Sequence, residues 1–150
     1  HEIRMMTKDV LLTISGLHYD EFSGREDDNE PIEVITPAAY YLKNNKHYII
    51  YEEVVEGMPG SIKNKIRISG EDQLEILKSG LSGTHMVFEK DKIHMTPYET
   101  PYGELLLGIY TKDLKVEESD DRINIRINYE LDINGDKVAD SEIKMCVKAK

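Results

Sequence analysis

The sequence predicts an all-β chain, folded as an antiparallel up-and-down β-barrel of about eight to ten strands. Three observations carry that reading. Roughly ten short segments either alternate apolar with polar residues or are apolar on both sides, Gly, Pro, Asn and Asp clusters separate them, and none demands a helix. Consecutive segments are joined closely enough to pair as hairpins, which makes a meander the simplest topology. A barrel is preferred to a sandwich because Tyr48 and Ile50 share one face of their segment while Ile49 and Tyr51 fill the other.

Composition sets the outer limits. The chain of 150 residues suits one domain able to bury a real core. Residues 1–5 carry no periodic pattern and read as an appended or disordered N-terminus, with residues 6–150 as a single barrel domain. Nineteen basic against 29 acidic side chains give a net charge of −10, which opposes nucleic-acid and anionic-membrane partners. The acidic excess is concentrated in residues 1–60, and no basic run marks the remainder. Cys146 is the sole cysteine, so an internal disulfide is excluded and a reducing, cytoplasmic setting is expected. No stretch approaches the ~20 apolar residues of a membrane helix.

Taken in order, Val10, Leu12 and Ile14 alternate with Asp9, Thr13 and Ser15 as a half-buried strand. Phe22–Pro31 is nearly devoid of apolar residues and reads as a solvated acidic loop without calcium-loop spacing. Ile32–Leu42 and His47–Val55 are strands, and Asn44-Asn45 suits a two-residue turn that places Tyr41 opposite Tyr48. Ile62, Ile66 and Ile68 point inward from the next strand, with Lys63, Lys65 and Arg67 outward. Gln73–Lys78 is open to either strand or short helix. His85–Glu89 and Lys92–Thr96 form a hairpin around Lys90-Asp91, in which Phe88 faces Ile93, Met86 faces Met95 and Glu89 faces Lys92.

The repeat Thr96-Pro97-Tyr98-Glu99-Thr100-Pro101-Tyr102-Gly103 must be a bulge, corner or turn, because proline cannot donate to a ladder. Leu105–Tyr110 and Leu114–Glu117 follow as strands. Two strong alternations close the chain, from Ile123 to Leu131 and from Ala139 to Val147. Asn134-Gly135 between them signals a two-residue turn, yet that register would set Tyr129 against Asp140. Face parity instead predicts a three-residue loop with Gly135 in the left-handed position of a bulge and Tyr129 opposite Ala139.

Chemistry is sparse. His18, His47, His85 and His94 have no metal-ligand spacing, so no metal or cofactor is expected; a two-His site on the 85–94 hairpin is geometrically open. Cys146 shares its face with carboxylates that would oppose a thiolate. No serine elbow or phosphate loop occurs, and no residue is assigned as catalytic: the chain is not expected to be an enzyme. Glu52 and Glu53 point to opposite sides of a strand, so one faces the interior and needs a cationic or hydroxyl partner. Arg67, Lys78 and Arg126 are the candidate cations, and Tyr98, Tyr102 and Tyr110 the candidate hydroxyls. The resulting set for binding a small, partly apolar molecule inside the barrel is Tyr51, Glu53, Arg67, Tyr98, Tyr102 and Arg126. Thr100, Pro101, Gly103 and Gly135 are assigned to structural corners. An alternative role is an interaction or regulatory module, with a homodimer among its outcomes, acting through the Thr-Pro-Tyr corner.

Tyr51-Glu52-Glu53, Met86-Val87-Phe88-Glu89 and Tyr98-Glu99-Thr100-Pro101-Tyr102-Gly103, followed by Leu105, Gly108-Ile109, Thr111 and Asn134-Gly135, together resemble the YwiB-like family of small bacterial proteins. That domain-of-unknown-function family is grouped with the calycins, the lipocalin-like barrels. The resemblance implies such a barrel in an intracellular bacterial protein, and brings no activity, cofactor or catalytic residue with it. Lys78-Ser79-Gly80 departs from the expected Arg before the glycine, which would keep the charge but lose bidentate geometry.

Overall fold

A computed structural model describes residues 8–16, 33–54, 57, 59–80, 83–100 and 102–150. Residues 1–5, the Phe22–Pro31 loop and Pro101 lie outside them. Ten antiparallel strands form one sheet: β1 (Lys8–Ser15), β2 (Glu33–Lys43), β3 (Lys46–Val54), β4 (Ser61–Ser69), β5 (Gln73–Gly80), β6 (Thr84–Glu89), β7 (Ile93–Thr100), β8 (Gly103–Glu118), β9 (Arg122–Ile133) and β10 (Asp136–Ala149). Their order is β6-β5-β4-β3-β2-β1-β10-β9-β8-β7. Each hairpin pairs with the next, β1 joins β10, and the two edges β6 and β7 come back together in a nearly closed barrel. Gln73–Lys78 is strand, because Leu74 and Ile76 pair with Phe88 and Met86 on one inward face.

The turn at Asn44-Asn45 forms as its residues dictate: both have positive φ (53° and 64°), and Tyr41 stacks on Tyr48 at 4.7 Å between ring centres. The β9–β10 turn corrects the expected register. Asn134-Gly135 is a two-residue turn after all, with Ile133 opposite Asp136 and φ of 51° and 93°. Parity is restored further along by a bulge between Lys137 and Ala139, which leaves Val138 half exposed and sets Tyr129 opposite Ser141, not Ala139. The extra residue that the alternating faces require is present; it sits in the strand instead of the loop. Likewise Leu105–Tyr110 and Leu114–Glu117 are one strand, β8, made continuous by a bulge between Thr111 and Asp113.

The largest correction concerns the 85–96 hairpin. Its turn exists, with the Lys92 amide donating to the Glu89 carbonyl at 3.0 Å and Lys92 Nζ 3.2 Å from Glu89 Oε2. Beyond it β6 and β7 do not pair: Phe88 does not face Ile93, and β7 is laddered only to β8. The tip itself shows why. The Lys90 amide donates to Asp72 in the β4–β5 turn (3.1 Å), whereas the Asp91 amide donates to Thr111 in β8 (2.8 Å) and the Thr111 amide returns to Lys92 (3.2 Å). Neighbouring residues are thus tied to opposite flanks, and the arms diverge into a seam.

The first Thr-Pro-Tyr unit is no corner but part of β7, where an edge strand tolerates Pro97. Only the second unit makes the turn, at Tyr102-Gly103. A second break follows the same chemistry. The β2–β3 ladder covers only Ala39–Lys43 and stops two residues short of Pro37, which pairs with Leu11 on the other side.

Inward alternation from every strand fills the barrel. Leu12, Ile49, Ile66, Ile68, Leu74, Ile76, Ile109 and Ile127 are fully buried, and Phe88 meets Tyr129 edge to face at 5.2 Å. Phe88→Ala is expected to cost about 3–5 kcal/mol in urea unfolding. Ile93→Ala, at a residue 59% exposed, should change stability by less than about 0.5 kcal/mol. Their double mutant should be additive; a coupling above about 1 kcal/mol would mean that the β6–β7 ladder forms.

Candidate functional site

Along β3 the inward row reads His47, Ile49, Tyr51, Glu53, polar at both ends and apolar between. At the first end the Tyr40 hydroxyl lies 2.6 Å from His47 Nδ1, and His47 Nε2 lies 3.1 Å from Glu118 Oε2. At the other end Glu53 is the inward carboxylate and Glu52 the outward one. Register places Asn64 beside Tyr51 and Lys78 beside Asn64. Asn64 Nδ2 donates to Glu53 Oε1 at 2.8 Å, and Lys78 Nζ donates to Asn64 Oδ1 at 2.7 Å and to Glu53 Oε1 at 3.3 Å. Asn64 is fully buried and the Lys78 side chain is 5% exposed. Burial pushes the Lys78 ammonium below its usual range, against the opposing pull of Glu53.

The same Lys78 borders a pocket of about 680 Å³ at the seam between β6 and β7. Lys63, Lys65, Leu77 and Lys78 bound it on one side, Thr84, His85 and Val87 from β6 in the middle, and His94, Met95, Thr96, Pro97 and Ile109 on the other. The pocket exists because the ladder between β6 and β7 does not. Of its described lining residues five are basic or imidazole and none is acidic. The Thr84 hydroxyl oxygen is buried with no hydrogen-bond partner among the described residues.

Both lining histidines are held from outside the pocket. His94 Nε2 meets Glu89 Oε1 at 2.8 Å, and His85 Nε2 meets Glu75 Oε1 at 2.7 Å. Glu75 is an outer-face residue only 6% exposed, because Arg67 covers its other oxygen through Nε (2.9 Å) and Nη2 (2.5 Å). Tyr41, Tyr48, Arg67, Glu75 and His85 thereby form one outer-face row that ends at the pocket rim. The histidines answer to different carboxylates on different strands, and no group of three metal-ligating side chains occurs among the described residues.

Three of the six residues expected to bind ligand, Tyr51, Glu53 and Tyr98, face the interior toward the end where β3 and β7 finish. The other three do not join them. Arg67 and Arg126 have outward parity; Arg67 serves Glu75, and Arg126 lies 3.6 Å from Glu142 on the exposed face. Tyr102 is 98% exposed in the β7–β8 turn, whose Gly103 has φ of 123°. Lys78 is the candidate cation that reaches Glu53. Asn64 escaped the sequence reading although its signal was there, as the polar interruption in the inward row Ile62, Asn64, Ile66, Ile68. Thr84, Lys63 and Lys65 gave no such signal, since their role depends on the seam.

Glu75 supplies a pH test. Burial alone would raise its carboxyl, but hydrogen bonds from Arg67 and His85 outweigh that and hold it below the usual range. The folded chain therefore releases that proton more readily than the unfolded one. The stability so gained is complete above the ordinary carboxylate range near about 4.3, and drains as pH falls through the lower folded value. Glu75→Gln should cost about 1–3 kcal/mol at neutral pH, by leaving the Arg67 guanidinium unmatched. The gap to the unaltered chain, read from urea midpoints, should narrow toward about pH 3; a constant gap would exclude this origin.

Comparison with known proteins agrees with the geometry. Residues 18–145 match the family model described as a domain of unknown function (DUF1934), and the chain belongs to that family. It is 26% identical over 121 residues to the "uncharacterized beta-barrel protein YwiB" of Bacillus subtilis (strain 168), covering 81% of this chain and 83% of the relative. The crystal structure of the Bacillus subtilis ywiB protein superposes with a TM-score of 0.75 over 96% of this chain and 93% of that one, at 21% identity, which establishes the shared fold.

Proposed function

From membership of the DUF1934 family and an all-β, nearly closed barrel, we propose that the chain binds a small, partly apolar molecule in the seam pocket. The observation that carries this is the pocket itself, about 680 Å³ bounded by apolar Leu77, Val87, Met95 and Ile109 and by a few convergent polar groups. The barrel centre is filled by its own side chains, so the site lies at the seam and not along the axis. Of the interior polar set only Lys78 lines this pocket; Tyr51, Glu53, Tyr98 and Asn64 lie behind it. Glu53 and Asn64 fix Lys78 in place, a binding arrangement that needs no bond-making step. The lipocalin-like grouping and a cytoplasmic setting belong to the same proposal, the first as analogy of fold and the second from the lone Cys146.

A second reading is favoured by one observation. Ile93, Met95 and Leu106 are about half exposed on the outer β7–β8 face, and Tyr102 projects from the adjoining turn, as a contact patch for another protein or a second copy would.

One titration separates the two. Decanol, followed by amide chemical shifts, should perturb Val87, Met95, Thr96 and Ile109 together. Met95→Trp, at an exposed position, should fill the mouth and weaken binding about tenfold or more, while Tyr102→Ala leaves it unchanged. Shifts scattered over the surface, or none at all up to the solubility limit, would overturn the binding reading. Dissociation of a dimer by Tyr102→Ala would support the second.

A further inference from the structure

Resting on the seam-pocket reading, we infer the ligand class: an amphipathic anion, whose carboxylate or phosphate head sits among Lys63, Lys65 and Lys78 and whose apolar body lies against Leu77, Val87, Met95 and Ile109. Charge is the first argument. A chain of net charge −10 repels anions on average, yet its pocket gathers three lysines and two histidines and presents no acidic side chain among its described lining residues.

Three nearby carboxylates each hold one of these five groups from behind, and none lines the pocket. Glu75 is held by Arg67 and His85, and Glu89 by Lys92 and His94, each from outside the pocket. Glu53 bonds Lys78 and Asn64 from the interior side. Lys63 and Lys65 stand on the outward face of β4; across its two ladders Lys65 meets only Ile50 and Leu77, and Lys63 meets Ser79 and Glu52, the one carboxylate opposite either.

Burial is the second argument. The Thr84 hydroxyl oxygen, across the ladder from Lys78 at the pocket wall, is buried with no hydrogen-bond partner among the described residues, and a hydroxyl can donate to an anionic oxygen as readily as to water. Position is the third. Lysines lie on the β4–β5 flank while Val87, Met95, Pro97 and Ile109 lie on the β6–β8 flank, so head and body have separate places. A neutral polar ligand would leave Lys65 unmatched, and a wholly apolar one would strip water from it.

The experiment compares three ligands sharing one alkyl body: decanol, decanoate and decyl phosphate, titrated calorimetrically below their aggregation limits. Decanoate, decyl phosphate or both should bind about tenfold or more tightly than decanol, and raising salt from about 50 to 500 mM should erode that advantage. The stronger of the two anions identifies the head group. Lys63→Gln combined with Lys65→Gln should lower the affinity of the anions about tenfold more than that of decanol. Equal affinity for decanol and both anions, or an advantage indifferent to salt and to the lysine substitutions, overturns the inference but leaves the pocket reading standing. Failure of all three to bind overturns the pocket reading, and the inference with it.

Discussion

Closure of the sheet is settled at three adjacent residues. Lys90 is tied by its amide to Asp72 on the β4–β5 side, and Asp91 and Lys92 are tied through Thr111 to β8. Each hydrogen bond is modest alone, about 1 kcal/mol net, but together they set the direction in which each arm leaves the turn. Had β6 and β7 continued as a hairpin, the barrel would be sealed and the seam pocket absent. The open seam between β6 and β7 follows from where that tip is anchored.

Inside, polar and apolar groups are kept apart along the strands. Isoleucines and leucines fill the middle, and Phe88 against Tyr129 closes it, so little room is left on the axis. Polar groups are displaced to the two ends and to the seam. At the far end of β3 this produces a buried lysine whose partners Glu53 and Asn64 satisfy it from one side while the pocket lies on the other. A buried charge of this kind tolerates poorly the loss of a single partner, because the remaining charge stays buried. On the outer face Glu75 repeats the device, shielded by Arg67 and His85 instead of by the core.

Much of the fold was legible because strand parity is strict. The alternations at Val10–Ile14, Ile123–Leu131 and Ala139–Val147, the Asn44-Asn45 turn and the Tyr41–Tyr48 pair are local consequences of residue type. Parity even required an extra residue between β9 and β10; it could not say whether the loop or the strand would hold it, since Asn134-Gly135 prefers the tight turn strongly enough to move the bulge to Val138. The 85–96 hairpin misled for the opposite reason. Its local register was self-consistent, and what defeats it is hydrogen bonding to Asp72 and Thr111, distant in sequence. The pocket is the space left by that defeat, so half of the candidate site was readable: Glu53 and Lys78 follow from alternation, while Thr84, Lys63 and Lys65 matter only once the seam is known.

Pro97 gives the open seam a further property. The β7–β8 ladder runs unbroken past it from Ile93 to Thr100, so its missing donor falls on the seam side. An unpaired strand bordered by half-exposed Ile93 and Met95 would otherwise be a template on which a second chain could stack, strand upon strand. With one rung of that template removed, the gap stays open while remaining a poor nucleus for fibrils. The residue that first looked like an interruption of the sheet thus guards the edge that the sheet leaves open.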